Sequence, residues 1–333
     1  MIGMAVVLAY VTVAPALPAW LPLGGNVFPV GSYNVVAASV GIAYLGLLAI
    51  CPMLSWEKTS FKQTASRFRV PLMCAMLLFL LLVIYQFTVL VPRYEFAMGV
   101  GAISAGSPSS FLPEWLCHSW ATVGFFVAAL LAFVSLATLV RAWHSRNVAK
   151  AGGSIAHLAM AFLLIGLVGS TFYATDQEIV LAYNAEEDVC EELISAGEYE
   201  FAYIGMRTTI DENRTDLTNM VELEMVGDGC YDEPITPAIQ VTAQTQQQYL
   251  GAAVVHCPFE DVVIAYKGIS SLNSNDDAGY CMSFEIMINP FISLLWIGFG
   301  ILAVGVLLAL CHGVSDAVLL WRGRRKRIAG IAR

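Results

Sequence analysis

The 333-residue chain is 58% hydrophobic and 13% charged, with a mean hydropathy of +0.68, whereas soluble domains carry about 25% charged residues. That composition argues against a single soluble domain, a disordered chain and a nucleic-acid-binding protein. The net charge of −9 and pI of 5.0 average over two very unequal parts of the chain.

Six apolar blocks are long enough for the about 20 residues that a membrane span requires. They cover 3–22, 33–54, 70–92, 116–140, 154–173 and 290–312, and none contains Asp, Glu, Lys or Arg. The first lacks the preceding Lys or Arg of a signal peptide. Its Pro15 and Pro18 are compatible with a membrane helix whose neighbours satisfy the freed backbone groups. The apolar, Gly-rich stretch 96–107 is too short to span; it either extends the third helix or lies at the surface.

Residues 174–288 hold 22 of the 26 acids but only three bases, Arg207, Arg214 and Lys267, a net charge of −19. The rest of the chain is at +10. Short cytoplasmic loops retain Lys and Arg. Lys58, Lys62, Arg67 and Arg69 lie in loop 55–69, and Arg141, Arg146 and Lys150 in loop 141–150. The tail carries Arg322, Arg324, Arg325, Lys326, Arg327 and Arg333. With six spans, all three regions fall on the cytoplasmic side, and the acidic insert falls outside. Trp20 and Trp115 would mark the outer interface, and Trp56, Trp143 and Trp321 the inner one. The predicted architecture is an integral membrane α-helical bundle with a β-rich extracytoplasmic domain inserted before the last span. Its parts are a five-span membrane domain (1–173), the acidic β-rich domain (174–288), and a last transmembrane helix with a basic tail (289–333).

The insert has strand-like alternation. In Asn219 to Val226, Val221, Leu223 and Met225 alternate with Glu222 and Glu224, the period of a half-buried strand. Tyr199 to Arg207, Ile239 to Gln244, Tyr249 to Val255 and Gly279 to Ile288 are further candidates, separated by turn-forming clusters. An antiparallel sandwich or barrel follows. Cys190, Cys230, Cys257 and Cys281 all lie here, and an even count in an oxidising compartment predicts two disulfides, in any of three pairings. A metal site is disfavoured, because no C-x-x-C occurs and His256 and Cys257 are adjacent. Cys51, Cys74, Cys117 and Cys311 read as small apolar residues in or beside spans.

Histidine is scarce. His144 and His312 sit at cytoplasmic ends, His256 in the acidic insert, and His118 beside Trp115 and Trp120 near a span end. His157 differs, because it lies about 6 Å into a helix starting at Gly153. Gly152, Gly153 and Ala156 leave little bulk around it, so a helix or a flat cofactor can approach. Ionisable groups within spans are costly and often functional. Residue type and depth fit either a ligand or a hydrogen bond to a neighbouring helix. Imidazole is a common axial ligand of haem iron. With one histidine at useful depth, a haem held here would take its second ligand elsewhere, from a partner chain, or leave that position open. Nucleotide-binding, serine-hydrolase and zinc-protease motifs are absent, and no span carries a carboxylate for proton relay. Asn213-Arg214-Thr215 fits a glycosylation sequon.

The run Gly152-Gly153 through His157-Leu158, continuing Leu163-Leu164-Ile165-Gly166-Leu167-Val168-Gly169-Ser170, resembles a helix of the CcmF/NrfE family. These are membrane haem-lyase subunits of cytochrome c maturation. Val30-Gly31-Ser32-Tyr33-Asn34, Pro52-Met53-Leu54-Ser55-Trp56, and Pro290-Phe291 with Trp296 and Gly298 are similar to other family landmarks, in the same order. The likeness covers this chain but only the C-terminal part of a full-length member. It implies one half of a split protein. The partner would be an N-terminal CcmF-like chain carrying the tryptophan-rich haem-handling segment. His157 matches a family axial ligand to a resident haem b, which implies haem b shared with that partner chain. The implied activity is thioether ligation of haem to apocytochrome c, together with other cytochrome c maturation proteins, with this chain inactive alone. Gln246-Gln247-Gln248-Tyr249 and Val254-Val255-His256 depart from the family's external element. The alternative is a non-catalytic assembly or transport scaffold that binds no haem.

Overall fold

The computed structural model describes residues 6, 9–10, 12–18, 20–22, 24–25, 30–50, 61–103, 107–108, 112–145, 148–184, 186–190, 192–210, 216–226, 233–242, 247–272 and 279–331. Among these, the side chains of 30–32, 61–65, 67, 148–150, 271–272, 279 and 312–331 are not described. The described residues include six helices of nine or more residues: α1 (Val30–Ile50), α2 (Phe61–Tyr85), α3 (Val91–Gly99), α4 (Glu114–His144), α5 (Val148–Phe172) and α6 (Ile292–Ile331). Among the described residues, five stretches are long and apolar enough to cross a membrane: Tyr33–Ile50, Phe68–Gly99, Glu114–His144, Ala151–Phe172 and Ile292–Cys311. The chain is a multi-pass membrane protein. Seven residues of the block 3–22 lie outside the described residues; among the rest, a short 3-10 turn occupies Ala14–Ala16.

The third span is longer than its apolar block. A π-helical turn, Gln86–Leu90, joins α2 to α3 and carries the helix to Gly99. Pro92 accounts for the widening, because its ring cannot fit against the carbonyl four residues back in a regular α-helix. The ambiguous stretch 96–107 thus begins as helix. It ends in a Schellman motif: the amide of Ala102 bonds the carbonyl of Ala97, and that of Gly101 bonds Met98. Gly101 has φ +76°, the left-handed conformation that this cap requires and glycine supplies.

Two compact units are distinguished. The first comprises Met1–Gln86, Leu112–Val168 and Leu294–Arg333. Here α4 packs against α1 and α2, with Phe79 and Phe126 edge to face at 5.3 Å. Helices α5 and α6 run antiparallel, as the order of their contacts shows. A Cβ on Gly152 would lie 2.8 Å from the Ala309 amide nitrogen, and one on Gly305 2.6 Å from that of Ala156. One on Gly298 would come within 2.9 Å of the Leu163 nitrogen, and one on Gly166 within 2.7 Å of that of Leu295. Small residues that let backbones approach are how helices associate where lipid removes the hydrophobic drive.

The second unit comprises Phe87–Phe111 and Gly169–Ser293. Its nine strands form two antiparallel sheets. One runs in the order β1 (Thr175–Tyr183), β9 (Gly279–Pro290), β8 (Glu260–Leu272), β7 (Ala253–His256). The other runs β2 (Ile194–Ala196), β3 (Tyr199–Ile210), β4 (Asp216–Met225), β5 (Ala238–Thr242), β6 (Gln248–Gly251). Both contribute to one core that includes Phe201, Leu223, Ile264 and Phe284. In β4, Val221, Leu223 and Met225 are buried while Glu224 is exposed, as the alternation requires. The expected single strand from Tyr249 to Val255 is instead β6 and β7, which belong to different sheets. Strands β1, β2 and β8 add to those expected.

The expectation of two disulfides needs correction. Cys257 is disulfide-bonded, but Cys190 and Cys281 are free thiols. Cys190 Sγ lies 4.0 Å from the Met282 sulfur. Adjacent strand residues point to opposite faces, so Cys281 projects away from the side that Cys190 occupies.

Candidate functional site

In the first unit, the small residues around His157 divide between two faces of α5. Gly152 and Ala156 are taken up by the α6 crossing. Gly153, four residues before His157 and on its face, is open: an added Cβ there would meet nothing within 4 Å. His157 is itself half-buried. The glycines of the α5 motif therefore serve two purposes. Gly152 and Gly166 allow helix contact, whereas Gly153 borders open space.

The other histidines are placed differently. His118 lies in the first turns of α4, where its carbonyl accepts bonds from Gln86 Nε2 at 3.1 Å and Thr122 Oγ1 at 2.8 Å. Gln86 is fully buried in the π turn, and its Oε1 also accepts from Thr122 at 3.0 Å. His144 is exposed and 3.0 Å from the Val140 carbonyl. His256, on β7, is exposed and 3.0 Å from the buried carboxylate of Asp261. The side chain of His312 and the sequon at 213–215 lie outside the described residues. Among the described residues, no three His, Cys, Asp or Glu side chains are grouped to hold a metal ion. The departing element becomes two sheet edges, with Gln248 and Tyr249 exposed on β6.

The second unit contains a cavity of about 340 Å³, within the lower range of small-molecule sites. Its apolar wall includes Leu90, Phe96, Ala97 and Val100 on one side and Ile286 and Ile288 on the other. Its polar wall is an ion cluster. Arg93 donates to Glu260 through Nη1, at 2.8 and 3.1 Å, and to Glu198 through Nε, at 3.0 Å, and Nη2. The Tyr199 hydroxyl donates to Glu260 as well. Glu198 stands at the tip of the β2–β3 hairpin because Gly197, φ +61°, takes the first central position of a two-residue turn, where II′ geometry favours glycine. A Cβ on Gly197 would also press to 3.3 Å from Ile288 Cδ1. Burial, then the bond to Glu260, pushes the Tyr199 hydroxyl above its ordinary range, so it stays a donor.

A second polar cluster lies on the same domain. The hydroxyls of Tyr183 and Tyr203 both donate to Asp188 Oδ1, and the amide of Met206 to Oδ2 at 3.3 Å. Burial alone would raise the Asp188 carboxyl, but these three donors outweigh it and hold it below its ordinary value. Burial and the nearby Asp188 charge push the Cys190 thiol up to about 11, which leaves it poorly nucleophilic. Neither cluster was expected from sequence. The available signals were Arg93, the one base between residues 93 and 115, and the Gly197-Glu198 turn.

The solved structure of a "Cytochrome c Heme Lyase CcmF" matches with a TM-score of 0.63 over 92% of this chain. The chain has a CcmF-like fold. Identity is 14%, and the match covers 43% of that lyase, so this chain spans less than half its length. Neither protein-family models nor curated protein sequences give a match.

Proposed function

We propose that this chain is one membrane subunit of a cytochrome c maturation haem lyase. It corresponds to the C-terminal part of a CcmF-like protein and acts with a second chain that supplies the remainder. The observation that carries the reading is the CcmF-like fold over 92% of this chain but 43% of that lyase. The substrates would be haem and the C-x-x-C-H segment of an apocytochrome c. The β-rich unit, on the extracytoplasmic side with the C-terminus cytoplasmic, would receive the apocytochrome or a haem-delivery partner.

His157 is the residue of this chain suited to hold a resident haem b, and the open space at Gly153 supports that assignment. His157 would hold the iron through a neutral imidazole nitrogen, and Gly153 keeps open space on the same helix face. The apolar neighbours along α5 exclude water from that face. When bound, such a haem supplies one-electron transfer toward the haem being attached. A second ligand to the iron would come from the partner chain. A scaffold that binds no haem is the second reading. It is favoured by one fact: Gly152, Gly166, Gly298 and Gly305 are all explained by helix packing alone.

The test is complementation. The chain and its N-terminal partner are co-expressed in cells lacking a maturation system, and covalent haem on a c-type cytochrome is measured. The pair should restore haem attachment, either chain alone should not, and His157→Ala should abolish it at unchanged protein levels. Full attachment with His157→Ala would refute the ligand assignment, and attachment without the partner would refute the split site.

A further inference from the structure

We propose that the cavity of the second unit is a lipid site. It holds an acyl chain of a zwitterionic phospholipid, with the ammonium of an ethanolamine headgroup against Glu198. This does not depend on haem or on the lyase reading.

Three observations carry it. First, the cavity is built from the ends of three membrane spans. Leu90–Val100 forms the last turns of the span ending at Gly99, Tyr173 directly follows the span ending at Phe172, and Pro290 precedes the span beginning at Ile292. Such residues lie at the interfacial level of a bilayer, where lipid headgroups and upper acyl carbons are found. Second, large apolar residues of the same helix stand exposed at the cavity. Phe96 is 64% and Val100 53% accessible, exposure that is costly in water and favourable against acyl chains. Third, the charges are unbalanced. Among the described residues of the wall Arg93 is the one cation, and it faces two carboxylates, Glu198 and Glu260. Glu260 is buried and satisfied by Arg93 and Tyr199; Glu198 also accepts from Arg93, but its side chain is 66% exposed. One negative charge is left at the open side, within a segment of net charge −19. An anionic headgroup would be repelled and an ammonium attracted.

The full chain, purified in mild detergent, is reconstituted into nanodiscs of equal phosphatidylethanolamine and phosphatidylglycerol. It is then released and washed, and retained lipid is read by native mass spectrometry. Wild type should retain one phospholipid, of the ethanolamine class. Val100→Trp, a change at an exposed position, should lower retention about tenfold without lowering the unfolding temperature. Gln177→Phe, on β1, gives a second block should the first not fold. Glu198→Gln should keep a lipid but lower the preference for ethanolamine over glycerol headgroups about tenfold. Wild type that retains no lipid, or blocked variants that retain it as wild type does, would overturn the site. Equal retention of both lipids by wild type would overturn the headgroup assignment.

Discussion

Removing Arg93 should destabilise the β-rich unit far more than removing the partner carboxylate at Glu198. The Glu260 side chain is 8% exposed and receives two bonds from Arg93 and one from Tyr199. In Arg93→Ala that carboxylate keeps only the tyrosine hydroxyl, in a wall that is otherwise mainly apolar. Breaking a buried ion pair from one side typically costs about 3–5 kcal/mol. The Arg93 side chain is 28% exposed, so water can partly replace it, and about 3 kcal/mol is the expected loss. Glu198 is 66% exposed, and exposed pairs contribute below about 1 kcal/mol. For a unit of about 150 residues, Arg93→Ala should lower the unfolding temperature by roughly 6–12 °C, against about 3 °C or less for Glu198→Gln. The paired replacement Arg93→Met with Glu260→Met should recover most of the loss, because it leaves no buried charge. Thermal unfolding of the purified protein in detergent measures all three. Equal, small shifts for Arg93→Ala and Glu198→Gln would refute the buried pair as the stabilising contact.

Two further outcomes are expected. Gly152→Val should weaken the α5–α6 crossing by about 1–3 kcal/mol, since its Cβ would meet backbone at 2.8 Å. Gly153→Val should leave the fold intact; equal damage from both would contradict the division of faces, and unfolding in detergent reads it. Asp188 is held below its ordinary value of 3.8, so its bonds contribute stability above that pH, lost as the pH falls through the folded value. Tyr203→Phe should therefore destabilise the unit at neutral pH, by an amount that shrinks toward pH 3. A deficit independent of pH, in denaturant titrations from pH 7 to 3, would exclude this carboxylate as its source.

The helical plan was legible because long charge-free runs have few alternatives. Strand β4 was legible because Val221, Leu223 and Met225 face one way and Glu224 the other. What escaped notice was set by tertiary contacts. Strand β8 begins with Glu260 and Asp261, both buried, and charged residues at a strand start read locally as a turn. The break between β6 and β7 occurs at Ala252, marked locally only by Gly251, and a lone glycine inside an apolar run does not announce a change of sheet. The cavity joins residues from 90 to 290, a separation that no local pattern encodes. Around His157, the sequence showed a cluster of small residues but not which faced a helix and which faced open space. That distinction needed the position of α6.

The central claim is that His157 holds a haem shared with a partner chain. The most direct measurement is the oxidised and reduced absorption spectrum of the co-purified pair, with a haem assay, for wild type and His157→Ala. A b-type spectrum in the wild-type pair, lost or shifted in His157→Ala, is the expected result. A pair without haem, or one whose spectrum is indifferent to His157, would contradict the claim and leave the scaffold reading.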